Sequence, residues 1–241
     1  MIEYLDGAFG LHTENTSYVF AVLPTGQLEH LYYGKKIRLN KGAVAALREK
    51  HSFAPGNTVI YDDKHPEYSL EDMKLEMSSY GKGDIREPFV ELVYPDGSRT
   101  SDFVYKDYEL ISGKPELDTL PSSYCDETQM EQNMTLRITL ADSRYPLELE
   151  LFYHVYEQDN VICRSSRLVN KGDESVEIKR LMSLMLDMDG EGYVMSTFNG
   201  AWAREMNRHD TVVTAGKLVN SSYTGTSSSR ANPFVMVMNR N

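Results

Sequence analysis

Tryptophan occurs once in the 241 residues, at Trp202, and cysteine twice, at Cys125 and Cys163. Two cysteines so far apart, without CxxC or CxH spacing, support neither a disulfide framework nor a zinc site. Cys163, within VICRS, reads as a small apolar core residue of a strand. Basic residues are scarce as well: 25 Lys+Arg stand against 36 Asp+Glu, a formal net charge of -11. Such an acidic balance opposes a general nucleic-acid role and adhesion to anionic membranes, both of which need a basic surface. No window approaches the run of about 18 apolar residues that marks a membrane span. MIEYLDGAFGLHTEN shows no basic leader followed by an apolar stretch, so the expected location is cytoplasmic and reducing. GxSxG, Walker-type and HExxH motifs are missing too, and neither a metal nor a cofactor is expected.

What the chain does have is tyrosine: 16 Tyr beside 8 Phe. Tyrosine joins a ring to a polar tip and is favoured in strands and at binding surfaces. An apolar share of 41% fits a packed globule. The dominant period is two. SYVFAV (17–22) and QLEHLYYG (27–34) flank Pro24-Thr25-Gly26 and predict a β-hairpin. Residues 135–142 place Leu136, Ile138 and Leu140 on one face. Residues 146–157 alternate Leu147, Leu149, Leu151, Tyr153 and Val155 against Glu148, Glu150, Phe152, His154 and Tyr156. Alternation this long predicts a strand with one face in the core. Residues 161–172 and 175–190 continue it, with Val176, Ile178, Arg180, Met182, Leu184, Leu186 and Met188 assigned to one face.

Helical signal is confined to GAVAALREK (42–50), with Gly42 before it and Arg48 and Lys50 in its last turn. The expectation is an all-β chain: one large antiparallel β-sandwich over residues 1–241 with at most one or two short helices. Residues 51–90, with the weakest periodicity, read as long loops over the sandwich, and 224–233 as a further loop.

Among candidate chemical groups, Asp62, Asp63 and His65 sit in an extended stretch where neighbours point to opposite sides, so a solvated turn is expected. Asp187, Asp189 and Glu191 around Gly190 lack the spacing of a calcium loop and read as a strand-ending turn. None of the 36 acids can be paired into a glycosidase centre from sequence alone. FNGAWARE (198–205) stands out more: Trp202 beside Arg204 and Glu205 suits stacking on a sugar ring and bidentate contact with hydroxyls. Its alternative is a core tryptophan capped by a local Arg–Glu pair.

These residues, with LPTGQLEHLYYGKKI (23–37), EYSLEDMKLEMSSYGKGDIREP (67–88), LPSSYCDETQMEQNMTLRITLAD (120–142) and VICRSSRLVNKGDESVEIKRLMSLMLDM (161–188), carry a resemblance. The chain resembles the N-terminal β-sandwich region of bacterial α-galactosidases of glycoside hydrolase family 36. The resemblance implies a supersandwich that precedes a catalytic β/α barrel in enzymes hydrolysing terminal α-galactosides, such as melibiose and raffinose, with retention. Their two catalytic aspartates lie on the barrel, whose motifs this chain lacks, so no catalytic residue carries over. One stretch departs from the family: SYTGTSSSRANPF has Thr224 and Ser229 where the family pattern leads one to expect Arg and His.

Two function classes follow. In the first, the chain is a non-catalytic region that supports the barrel and homo-oligomer assembly, with Tyr68, Tyr80, Asp84 and Arg86 as candidate interface residues. In the second it is a free-standing sugar-binding sandwich centred on Trp202, Arg204 and Glu205. Ending at NPFVMVMNRN, the chain reads as a piece of a longer enzyme, with a sandwich edge open to strand addition. Tyr18, Tyr32, Tyr33, Tyr153 and Tyr156 fall in predicted strands, with hydroxyls expected at the rim.

Overall fold

The period-two pattern is realised almost throughout. A computed structural model describes residues 1–50, 59–130, 132–188, 192–226 and 228–240. The chain divides into two compact units, Met1–Asp187 and Met188–Asn241.

In the first unit, β1 (Ile2–Leu5), β2 (Ala8–His12), β3 (Thr16–Val22) and β4 (Leu28–Lys35) form an antiparallel meander. The β3–β4 hairpin turns where Pro24-Thr25-Gly26 predicts, and Gly26 adopts a positive φ of 91° that favours glycine. A short helix α1 (Lys41–Leu47) follows, then β5 (Val90–Val93), β6 (Phe103–Ser112), β7 (Asn133–Asp142), β8 (Leu147–Tyr156), β9 (Val161–Asn170) and β10 (Glu177–Leu181). Strands β6 to β9 form a second antiparallel meander, and β10 pairs with β5. The two meanders supply one core. Phe9, Leu11, Tyr18 and Phe20 come from the first; Leu136, Ile138, Leu140, Leu149, Leu151 and Tyr153 come from the second. This is the expected sandwich, held by burial worth about 1.5–3 kcal/mol for each large apolar side chain.

The second unit is a three-stranded antiparallel sheet of β11 (Tyr193–Ala201), β12 (Arg204–Val212) and β13 (Ala231–Asn239), with β11 central. Phe198 stacks on Phe234 at 5.2 Å between ring centroids.

Four expectations change. The helix is capped by Asn40, whose side chain accepts from Ala43 N at 3.0 Å, and it ends before Arg48 and Lys50. Arg48 leaves the helix because its guanidinium serves the buried Glu29 carboxylate, at 3.5 Å. Across 175–190 the one-face assignment holds only in part: Val176, Met182 and Leu186 pack on the core, but Ile178, Leu184 and Met188 are exposed. A register shift between Ile178 and Arg180 interrupts the alternation, the strand ends at Leu181, and Leu181 and Met185 join the core from outside the assigned set. Within 51–90, whose first eight residues lie outside the described part, the chain is not merely laid over the sandwich. Leu70, Met73, Leu75, Glu76 and Met77 are all buried. Cys163 is half-buried rather than a core residue, because it lies opposite His154 on the outer face of the β6–β9 sheet.

Candidate functional site

The sequence-predicted sugar site lies on the β11–β12 hairpin. Ala201 pairs with Arg204, so Trp202 and Ala203 form a two-residue tip, and Ala203 adopts the left-handed region at φ 61°. Gly200 has no room for a Cβ, which would run into the Arg204 carbonyl. Trp202 is 92% exposed, which overturns the core-tryptophan alternative. No Arg204–Glu205 pair caps it either: Glu205 Oε1 accepts from Ala203 N at 2.9 Å, and Arg204 is exposed. The three side chains therefore share a hairpin end, with Glu205 fixing the turn and Trp202 projecting from it.

The four candidate interface residues separate. Asp84 and Arg86 form an internal clamp: Arg86 Nε donates to Asp84 Oδ1 at 2.8 Å, and Nη1 and Nη2 donate to the Met73 and Leu70 carbonyls at 2.6 and 2.5 Å. Arg86 also pairs with Asp187. Tyr68 is half-buried against Leu23, Leu70, Met73 and Leu75. Tyr80 is exposed, with the Arg99 guanidinium 4.8 Å from its ring centroid. Asp62 accepts from Lys64 N, His65 N and His65 Nδ1, forming the turn read from the sequence. Asp189, Gly190 and Glu191 lie outside the described residues.

The densest polar cluster escaped the sequence reading. Glu76 is fully buried between the two meanders. Its carboxylate accepts from Tyr18 Oη at 2.7 Å, Tyr153 Oη at 2.7 Å and His30 Nδ1 at 2.8 Å, and Arg164 Nη1 lies 3.2 Å away. Arg164 also lies over the Tyr153 ring, 4.4 Å from its centroid. Burial would raise the Glu76 carboxyl, but Arg164, His30 and Tyr18 outweigh it and hold the group below the ordinary glutamate value. Burial drives the Tyr18 and Tyr153 hydroxyls well above the usual tyrosine range, with Glu76 reinforcing the effect. These two hydroxyls point inward, correcting the rim expectation for Tyr18 and Tyr153, whereas Tyr32 donates to the Lys35 carbonyl at the surface and Tyr33 is exposed. Glu76 lies in the weakly periodic stretch, where alternation marks faces but cannot say which carboxylate both sheets will enclose. Sealed from solvent, it cannot meet a substrate; its chemistry is to cross-link the sandwich.

Fold and site define an antiparallel β-sandwich domain with an architectural polar core and an aromatic-tipped hairpin. Residues 26–241 match the Glycosyl hydrolase family 36 N-terminal domain. The chain belongs to that family. It is 34% identical to alpha-galactosidase AgaA of Geobacillus stearothermophilus over 97% of its own length and 31% of that protein. With alpha-galactosidase Mel36A of Lactobacillus acidophilus it shares 33% identity, over 95% of this chain and 31% of the relative. Among solved structures, GH36 alpha-galactosidase AgaB from Geobacillus stearothermophilus superposes with a TM-score of 0.90 at 30% identity, covering 100% of this chain and 32% of that one. The chain thus spans about a third of the length of these relatives, aligned with their N-terminal region.

Proposed function

We propose that this chain is the N-terminal β-sandwich region of an α-galactosidase that hydrolyses terminal α-galactosides, such as melibiose and raffinose, with retention. In this reading it performs no chemistry itself, supports the catalytic barrel of the parent chain, and contributes to assembly of a cytoplasmic homo-oligomer. One observation carries it: 34% identity runs along 97% of this chain yet occupies only 31% of an α-galactosidase. The exposed hairpin end with Trp202, Arg204 and Glu205, together with Tyr80, supplies surface for such contacts. Tyr68, Asp84 and Arg86 act from beneath, by holding the 67–88 stretch in shape. Single-domain behaviour over 1–241 belongs to the same proposal.

An aryl α-galactoside assay tests it. The 241-residue chain alone is expected to show no turnover, whereas the frame continued into a barrel restores it. Turnover by the isolated chain at the rate of a complete α-galactosidase would refute the reading.

A second reading, a free-standing sugar-binding module, is favoured by the 92% exposure of Trp202. Trp202 fluorescence, unambiguous because it is the only tryptophan, is expected to shift on titration with galactose or raffinose if this holds; a flat titration at millimolar sugar removes it.

A further inference from the structure

The outer face of the β6–β9 sheet carries a cleft of about 300 Å³ that neither reading uses. This lies at the lower end of the range of about 300–1,000 Å³ typical of small-molecule sites. Its floor comes from β7, β8 and β9. Phe152 stands between Arg137 on one neighbouring strand and Ser165 on the other, and Arg167 follows opposite Glu150. Pro115 and Leu117 of the β6–β7 connection form a wall.

The charges here are balanced in pairs. Arg167 Nε donates to Glu150 Oε2 at 2.5 Å, and Arg137 Nη2 lies 2.6 Å from Glu109 Oε2. Glu150 is itself buried. Arg137 Nε, also buried, has no hydrogen-bond partner. His154 adds no cation: burial, reinforced by Lys114, lowers it to about 4. Its ring nitrogens are already engaged, Nδ1 with Thr135 Oγ1 at 2.8 Å and Nε2 with Ser165 Oγ at 3.2 Å.

This combination selects a ligand class. An anion would have to displace carboxylates already seated on both arginines. A peptide strand could join this sheet only in its plane, beside the β6 or β9 edge, and not over the cleft floor, because β7 and β8 are hydrogen-bonded on both sides. A neutral hydroxyl-rich ring suits the site, since its hydroxyls can accept from the guanidiniums and donate to the Ser165 hydroxyl, and an apolar ring face can lie on Phe152. We propose that this cleft is a binding site for a neutral pyranose carbohydrate of monosaccharide to disaccharide size, with Phe152 as platform and Arg137, Arg167 and Ser165 as hydroxyl partners. The site differs in place from the Trp202 hairpin, and its occupancy is independent of whether the parent enzyme cleaves α-galactosides.

Calorimetric titration of the 241-residue chain with galactose and raffinose, and separately with inorganic sulfate, tests the assignment. The expected result is saturable sugar binding with a Kd on the order of 1 mM and no sulfate binding. Leu117→Trp changes an exposed side chain away from any ion pair, and Arg167→Gln removes a partner of Glu150, so thermal melting accompanies both; each, where folded, is expected to weaken sugar binding about tenfold. Trp202→Ala is expected to leave that binding unchanged. The proposal is overturned by heats that stay flat into tens of millimolar sugar, by sulfate competing with sugar, or by loss of binding in Trp202→Ala while the cleft variants bind normally.

Discussion

At the scale of single residues, the carboxylate of Glu76 survives burial because four polar groups turn towards it. Replacing it with the isosteric amide leaves Arg164 as a buried charge without its counter-ion. Glu76→Gln is expected to destabilise the chain by about 3–5 kcal/mol, measured by urea denaturation. Tyr153→Phe removes one donor to Glu76 and one acceptor from Arg164 Nη2 and is expected to cost about 1–3 kcal/mol. Acid acts on the opposite face of the same sheet as well. The folded-state value of His154 lies below its ordinary 6.5, at about 4, so its contribution is complete above 6.5 and is lost as pH falls towards 4. Glu76, also depressed, loses its contribution in the same direction at lower pH. Melting temperature is expected to fall between pH 6.5 and 4, with His154 alone accounting for up to about 3 kcal/mol. A flat profile across that window would refute the assignment. None of this cluster was legible in the sequence. Period-two patterning names which side chains share a face, but Tyr18, Glu76, Tyr153 and Arg164 meet only through tertiary pairing.

At the scale of elements, legibility followed the regularity of the strand. The unbroken alternations of β7 and β8 predicted both their extent and their core faces, because an uninterrupted ladder keeps every second side chain on one side. In β10 a single bulge interrupted that order, and no composition signal at Ile178–Arg180 announces it. The β11–β12 hairpin is a similar case: the sequence drew attention to Trp202 but could not say whether it faced in or out. Its geometry yields a paired prediction. Gly200→Ala forces a side chain into the Arg204 carbonyl and is expected to destabilise the second unit by about 1–3 kcal/mol, visible as lost amide protection in β11 and β12. Trp202→Ala touches nothing in the fold and is expected to shift stability by less than about 0.5 kcal/mol.

At the scale of the whole molecule, the sheet of the second unit ends in β13, an edge strand with Phe234, Val235 and Val237 exposed. A long apolar edge is a template for another strand, which in a longer chain can be supplied from within. For the 241-residue chain, concentration-dependent self-association is expected in light scattering, and Val235→Lys is expected to suppress it. A monomer at high concentration in the unsubstituted chain would contradict this. The fold class and family were legible from the sequence because ordered segments span nearly its full length. The division into two units was not, since no linker composition marks the boundary at Asp187.

The Glu76 cluster also sets a schedule. During synthesis Glu76 emerges 77 residues ahead of Tyr153, an interval of roughly 4–15 s at about 5–20 residues per second. Arg164 follows later still. Until it leaves the ribosome, closing the sandwich would bury the Glu76 carboxylate without its arginine counter-ion. The nascent meander of β1 to β4 must therefore wait, half-assembled and open to water, for the strands that complete it.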